Sequence, residues 1–141
     1  MVEPFSQTFI VEGKDFFNAG KASTEIKSIL KQLGVGGTAI RRMAIAAYEA
    51  EMNVVMYAKR AEMTFTVTPE IITLVVNDEG PGIPDVTLAM QEGYSTATPE
   101  MREMGFGAGM GLPNIRKNAD EFAVESVVGK GTRLRITLHI N

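Results

Sequence analysis

The chain has 141 residues, 45% of them hydrophobic, a formal net charge of −3, one histidine and no cysteine. That length and apolar fraction predict one domain, residues 1–141, with a core that needs no covalent staple, and the lack of cysteine removes thiolate nucleophiles and cysteine zinc sites. Net acidity without a basic stripe argues against direct nucleic-acid binding, no apolar run nears the roughly 18 residues of a spanning helix, and Met1-Val2-Glu3-Pro4 lacks the features of a signal peptide, so a cytoplasmic location without membrane attachment is expected.

Gln7 to Glu12 alternates as a short strand does, with Phe9 and Val11 on one side. From Asp15 to Leu33, Phe16, Phe17, Ala19, Ile26, Ile29, Leu30 and Leu33 recur at roughly helical spacing, and Gly34, Gly36 and Gly37 close the segment. A helix filling about two-thirds of that stretch is predicted. A second helix is expected from Thr38, a residue type that caps N-termini, to about Lys59. Its broad apolar face comprises Ile40, Met43, Ala44, Ala47, Val54, Val55 and Ala58, while Ile45, Met52 and Met56 on the opposite side predict cover there too.

Within this helix Glu49 and Asn53 stand four apart and share a face, whereas Glu51 projects to nearly the opposite side. A carboxylate beside a carboxamide offers a proton acceptor and a neutral oxygen ligand, which a magnesium–phosphate centre can use; a local Glu–Asn hydrogen bond is the alternative.

Glu62 to Thr68 and Ile71 to Asn77 read as antiparallel strands joined at Pro69-Glu70. Asn77-Asp78-Glu79-Gly80-Pro81-Gly82-Ile83-Pro84 follows. An aspartate at a strand end, backed by glycines that let a flat ligand approach, can accept a hydrogen bond from an exocyclic amine such as that of adenine; the same residues also suit an ordinary turn.

Asp78 to about Met110 lacks sustained periodicity apart from a short helix near Val86 to Gln91, and a loop of that length is functional or disordered. Gly93-Tyr94-Ser95-Thr96 supplies hydroxyls within it. In Gly105-Phe106-Gly107-Ala108-Gly109-Met110-Gly111-Leu112 a glycine at every second position packs nothing and costs backbone entropy. Such a backbone, followed by a helix opening at Pro113, suits a phosphate cradle, although lids and hinges share the pattern.

That helix is expected to reach about Ala119, with strands near Phe122 to Val128 and Thr132 to Ile140 around the turn Gly129-Lys130-Gly131. Thr132 either serves the hairpin alone or presents a ligand-facing hydroxyl. His139 falls on the solvated face with Arg133, Arg135 and Thr137 and reads as a surface residue rather than a phosphoacceptor. The order of elements predicts an α+β two-layer sandwich, with helices on one face of a mixed, mainly antiparallel sheet and a long lid.

Taken in order, Glu49-x-x-x-Asn53, Asp78-x-Gly80-x-Gly82, the Gly105–Gly111 run with Leu112, and Gly129-x-Gly131-Thr132 resemble the ATP-binding domain shared by histidine kinases, gyrase-type ATPases, a heat-shock chaperone and MutL. Within that superfamily the chain is similar to the small bacterial serine/threonine kinases of partner-switching systems, comprising anti-sigma-factor kinases and the stressosome switch kinase. Asp78 to Asp85, Gly93 to Thr96, Gly109 to Pro113 and Asp120-Glu121-Phe122 look especially like the latter.

The resemblance implies ATP and Mg²⁺ as cofactors, Glu49 as general base and Asn53 as magnesium ligand. It implies Asp78 on the adenine amine, Gly80 and Gly82 shaping the adenine pocket, and Thr132 supporting it. Gly105, Gly107, Gly109 and Gly111, with Leu112, would wrap the triphosphate. The implied partner is an antagonist protein with a phosphoacceptor serine or threonine, and a sigma factor or a phosphatase is a further partner; a homodimer is left open. The competing expectations are a nucleotide-gated binding regulator with little transfer activity and a free-standing ATPase.

Overall fold

The computed structural model describes residues 4–91 and 111–140. Gly93 to Thr96, Gly105, Gly107 and Gly109, and with them the expected lid, lie outside the described residues.

The elements are β1 (Phe5–Glu12), α1 (Lys21–Gln32), α2 (Gly37–Tyr57), β2 (Arg60–Val67), β3 (Ile71–Glu79), a short α3 (Val86–Ala89), α4 (Gly111–Lys117), β4 (Glu121–Val127) and β5 (Gly131–His139). The strands form one sheet in the order β1-β2-β3-β5-β4. Every pairing among them is antiparallel, so the mixed sheet expected from sequence is wholly antiparallel in the described residues.

Chain geometry accounts for this. α1 and α2 make a helical hairpin that returns the chain to the end of the sheet it left, so Glu12 at the end of β1 pairs with Arg60 at the start of β2. Tight connections then reverse the chain between β2 and β3 and between β4 and β5.

Alternation sorts the sheet into two faces. Ala61, Met63, Phe65 and Val67 of β2, Ile72, Leu74 and Val76 of β3, and Leu134, Ile136 and Leu138 of β5 are buried in one cluster with Ile26 and Leu30 of α1 and Met43, Ala47 and Val54 of α2. The opposite face carries exposed Ser6, Thr8, Glu62, Arg133 and Arg135. Thr137, expected to be solvated, is buried between its register partners Thr73 on β3 and Glu121 on β4.

The helices differ from expectation in three ways. α1 fills about two-thirds of the stretch from Asp15 to Leu33, as expected, but Phe16, Phe17 and Ala19 of the apolar series precede it in turns, because the Asp15 carboxylate accepts from the Asn18 backbone N–H (3.3 Å) and Nδ2 (2.7 Å), and Gly20 is left-handed. Phe17 is consequently 90% exposed, while Phe16 packs with Met52 and Met56. α2 is capped by Gly36, with Thr38 inside the first turn, and Ile45 on its far side stays exposed. α4 already includes Gly111, upstream of the expected opening at Pro113.

His139 is exposed and pairs with Glu121 (3.1 Å), while its backbone N–H donates to Asp120, which also binds Arg42 of α2. No helix among the described residues is long and apolar enough to cross a membrane.

Candidate functional site

The alternation that buries Ile72, Leu74 and Val76 runs one step further to Asp78, so a carboxylate ends the apolar row on the helix-facing side of β3. The same face carries Thr132 on β5 and Ser126 on β4, and these two are register partners. Asp78, Thr132 and Ser126 therefore stand side by side across three adjacent strands, a polar rim at one end of the core.

Asp78 Oδ1 accepts the Thr132 backbone N–H at 2.9 Å. Among the described residues its carboxylate accepts this one hydrogen bond, and an ionised carboxylate can accept at both oxygens. Burial raises the Asp78 pKa above the ordinary aspartate range, partly offset by the Thr132 N–H.

The segment after β3 is fastened to the β4–β5 hairpin by three hydrogen bonds. Gly80 N–H donates to Lys130 O (3.0 Å), Gly129 N–H to Pro81 O (2.8 Å) and Ile83 N–H to Ser126 Oγ (2.7 Å). Gly80 lies against Ala58 at the end of α2, where a Cβ would come within 3.1 Å of the Ala58 Cα. Gly82 has φ +76°, and a Cβ there would sit 2.5 Å from Val127 O; one at Gly131 would sit 2.0 Å from Asp78 O. Gly82→Ala is expected to lower unfolding free energy by about 2–4 kcal/mol, because backbone must move and a positive φ is imposed on a Cβ. Gly129→Ala, at φ +83° with open space around it, bears only the conformational cost of about 1 kcal/mol. Denaturant midpoints of the two variants check the difference.

Above this rim, α2 supplies the second half of the site. Glu49 is half-buried, and its Oε2 accepts from Asn114 Nδ2 of α4 at 3.4 Å, so the Glu49 partner is on the facing helix rather than at Asn53. Burial raises its pKa above the ordinary glutamate range, with the Asn114 bond pulling the other way. One turn on, the Asn53 carboxamide faces Gly111, whose absent Cβ would lie 3.2 Å from Asn53 Oδ1. Gly111 and Asn114 thus meet Asn53 and Glu49 in antiparallel sense, turn against turn. Leu112 points into the core at 8% exposure. Asn53 is five residues before Ala58, about 7.5 Å of helix, and Ala58 touches Gly80, which relates the α2 pair to the Asp78 rim.

Glu51 has a role that helical spacing alone does not reveal. It is 1% exposed, and its carboxylate accepts the backbone N–H groups of Gly20 (3.0 Å), Ala22 (3.3 Å) and Ser23 (2.9 Å). α1 has no side-chain cap of its own and no acidic residue in its first turn, so Glu51 satisfies its orphan donors from the neighbouring helix. The sequence signal is the combination of an uncapped helix start at Gly20-Lys21-Ala22-Ser23 and an acid among apolar residues of α2.

Glu49 and Asn53 themselves offer carboxylate and amide oxygens, and no group of three or more His, Cys, Asp or Glu that could hold a metal exists among the described residues. This set suits a magnesium ion that takes most of its ligands from phosphate and water.

Residues 17–138 match the histidine kinase-like ATPase domain. The chain is 30% identical over 113 residues to the serine/threonine-protein kinase RsbT of Bacillus subtilis, covering 77% of this chain and 79% of that protein. It is 35% identical over 128 residues to the anti-sigma F factor of Caldanaerobacter subterraneus, covering 87% and 86%, and 31% identical over 117 residues to that of Geobacillus kaustophilus, covering 83% and 69%. With a family match over most of its length and relatives of this similarity, the chain belongs to the histidine kinase-like ATPase domain family.

Proposed function

We propose that the chain is an ATP- and magnesium-dependent serine/threonine protein kinase that phosphorylates a small antagonist protein in a partner-switching pathway regulating a sigma factor. The observation that carries the reading is the placement of two half-buried carboxylates, Asp78 on the sheet rim and Glu49 on α2 beside Asn53. The names of the similar proteins, a serine/threonine kinase and anti-sigma factors, supply the substrate class.

In this reading Asp78 accepts from the adenine amine, Thr132 flanks it, and Gly80 and Gly82 let the base approach. Asn53 would hold the magnesium through its amide oxygen, and Gly105, Gly107, Gly109 and Gly111 would wrap the triphosphate, while Leu112, expected among them, is buried in the core and anchors the end of that run. Magnesium, when bound, neutralises phosphate charge. Glu49 takes the proton of the acceptor hydroxyl as that oxygen bonds the γ-phosphorus and the bond to the departing ADP breaks. Phosphoryl transfer asks chiefly for positioning and charge neutralisation, so one base is a sufficient complement.

The base acts only when ionised, and burial raises the Glu49 pKa. The acid limb of kcat/KM is therefore expected above the ordinary glutamate range. The test combines the full chain with γ-labelled ATP, magnesium and the antagonist encoded beside its gene, across pH. Labelled serine or threonine on the antagonist supports the reading. ATP binding without transfer would make the chain a nucleotide-gated binding regulator, and phosphate release without an acceptor would make it an ATPase.

A further inference from the structure

Ser126 belongs to none of the motifs that single out the site, yet it sits at its hydrogen-bonding centre. Its Oγ accepts the Ile83 backbone N–H at 2.7 Å, donates to Gly131 O at 3.3 Å and lies 3.0 Å from Thr132 Oγ1. One proton arrangement satisfies all three contacts at once. A backbone N–H only donates and a carbonyl only accepts, so Ser126 receives from Ile83 and gives its single proton to Gly131 O. Its remaining lone pair then takes the Thr132 hydroxyl proton. The reverse arrangement, with Ser126 donating to Thr132, would leave the Gly131 carbonyl without its serine donor.

Thr132 lies between Ser126 on β4 and Asp78 on β3. With its proton turned toward Ser126, Thr132 presents only lone pairs on the Asp78 side. Asp78 also presents only an acceptor there. The rim is thus an all-acceptor edge, suited to a ligand group that only donates.

We infer that Ser126 is a positioning residue for nucleobase selection: by taking the Thr132 proton it holds that hydroxyl as an acceptor beside Asp78, so that the site selects a purine bearing an amine at C6. This deepens the proposed function and rests on its assignment of Asp78 and Thr132 to the adenine end. Without Ser126 the Thr132 hydroxyl loses its inward acceptor, and its proton turns toward the side where the amine must donate.

The test is equilibrium titration of the full chain, with magnesium, by ATP and by purine riboside triphosphate, which is ATP without the C6 amine. The ratio of the two affinities isolates what the amine contributes. Ser126→Ala is expected to lower that ratio about three- to tenfold, the worth of one net hydrogen bond. Ser126→Thr, which keeps the hydroxyl, is expected to hold the wild-type ratio. In a Thr132→Val background, where no hydroxyl remains to orient, Ser126→Ala is expected to leave the ratio unchanged. If Ser126→Ala weakens both nucleotides equally, Ser126 only fastens the Gly80–Pro84 segment and this inference falls while ATP binding stands. If the wild-type chain binds neither nucleotide, the proposed function falls and this inference with it.

Discussion

Glu49→Ala is expected to leave ATP binding intact while slowing transfer to the antagonist about 10²–10⁴-fold, the usual worth of a general base. Quantitative labelling under single-turnover conditions, beside an ATP titration, separates the two effects. Among the described residues Glu49 reaches α4 through one long hydrogen bond, so its loss is not expected to dismantle the helix pair. Normal transfer by the alanine variant would remove Glu49 from the chemistry.

Glu49→Gln adds a second reading of the same residue. The raised folded-state pKa means that the native protein holds the proton more tightly than the unfolded chain, whose value is near 4.5. The corresponding stability is present below that unfolded value and is lost as pH rises through the folded one. At neutral pH the ionised, half-buried carboxylate is thus a standing cost, and Glu49→Gln is expected to raise the unfolding midpoint there, with the gain vanishing in acid.

The other large effect belongs to Glu51, and it is on stability. Glu51→Ala leaves the N–H groups of Gly20, Ala22 and Ser23 without their acceptor at a buried helix start, and is expected to cost about 2–4 kcal/mol. The thermal midpoint falls by roughly 10 °C on that estimate. Glu51→Gln recovers only part of the loss, because its amide nitrogen is a donor set against donors. A Glu51→Ala variant with an unchanged melting curve would show that α1 does not depend on this cap. The same carboxylate ties α1 to the helix that carries Glu49 and Asn53, so ATP affinity is expected to fall together with stability in this variant, unlike in Glu49→Ala.

The contrast between these two glutamates shows how far the sequence could be read. Helical spacing correctly put Glu49 and Asn53 on one face and Glu51 away from them. It could not reveal that Glu51 meets backbone 28 to 31 residues earlier, because that contact depends on how α1 and α2 pack. Alternation likewise located β3 and β5, while the rim formed by Asp78, Thr132 and Ser126 follows from the order β3-β5-β4, which no local pattern encodes. Thr38 looked like an N-cap by residue type, yet Gly36 took the position in an extended conformation with φ −63° and ψ 149°. Phe17 falls in a helical stripe by spacing, but Asp15 and Gly20 impose turns that carry it to the surface. Local periodicity reported elements well and reported their ends and mutual contacts poorly.

The central claim is that Asp78 receives the adenine of ATP, and the most direct test is equilibrium titration of wild type and Asp78→Asn with ATP and magnesium. The asparagine is isosteric but has one acceptor where the carboxylate has two. If its oxygen takes the Thr132 N–H, its amine confronts the adenine amine; if it turns, the Thr132 N–H loses its partner. The account predicts saturable binding by wild type and affinity about 10- to 100-fold weaker in Asp78→Asn, with the melting temperature held or raised. Equal affinity in the two proteins would contradict it.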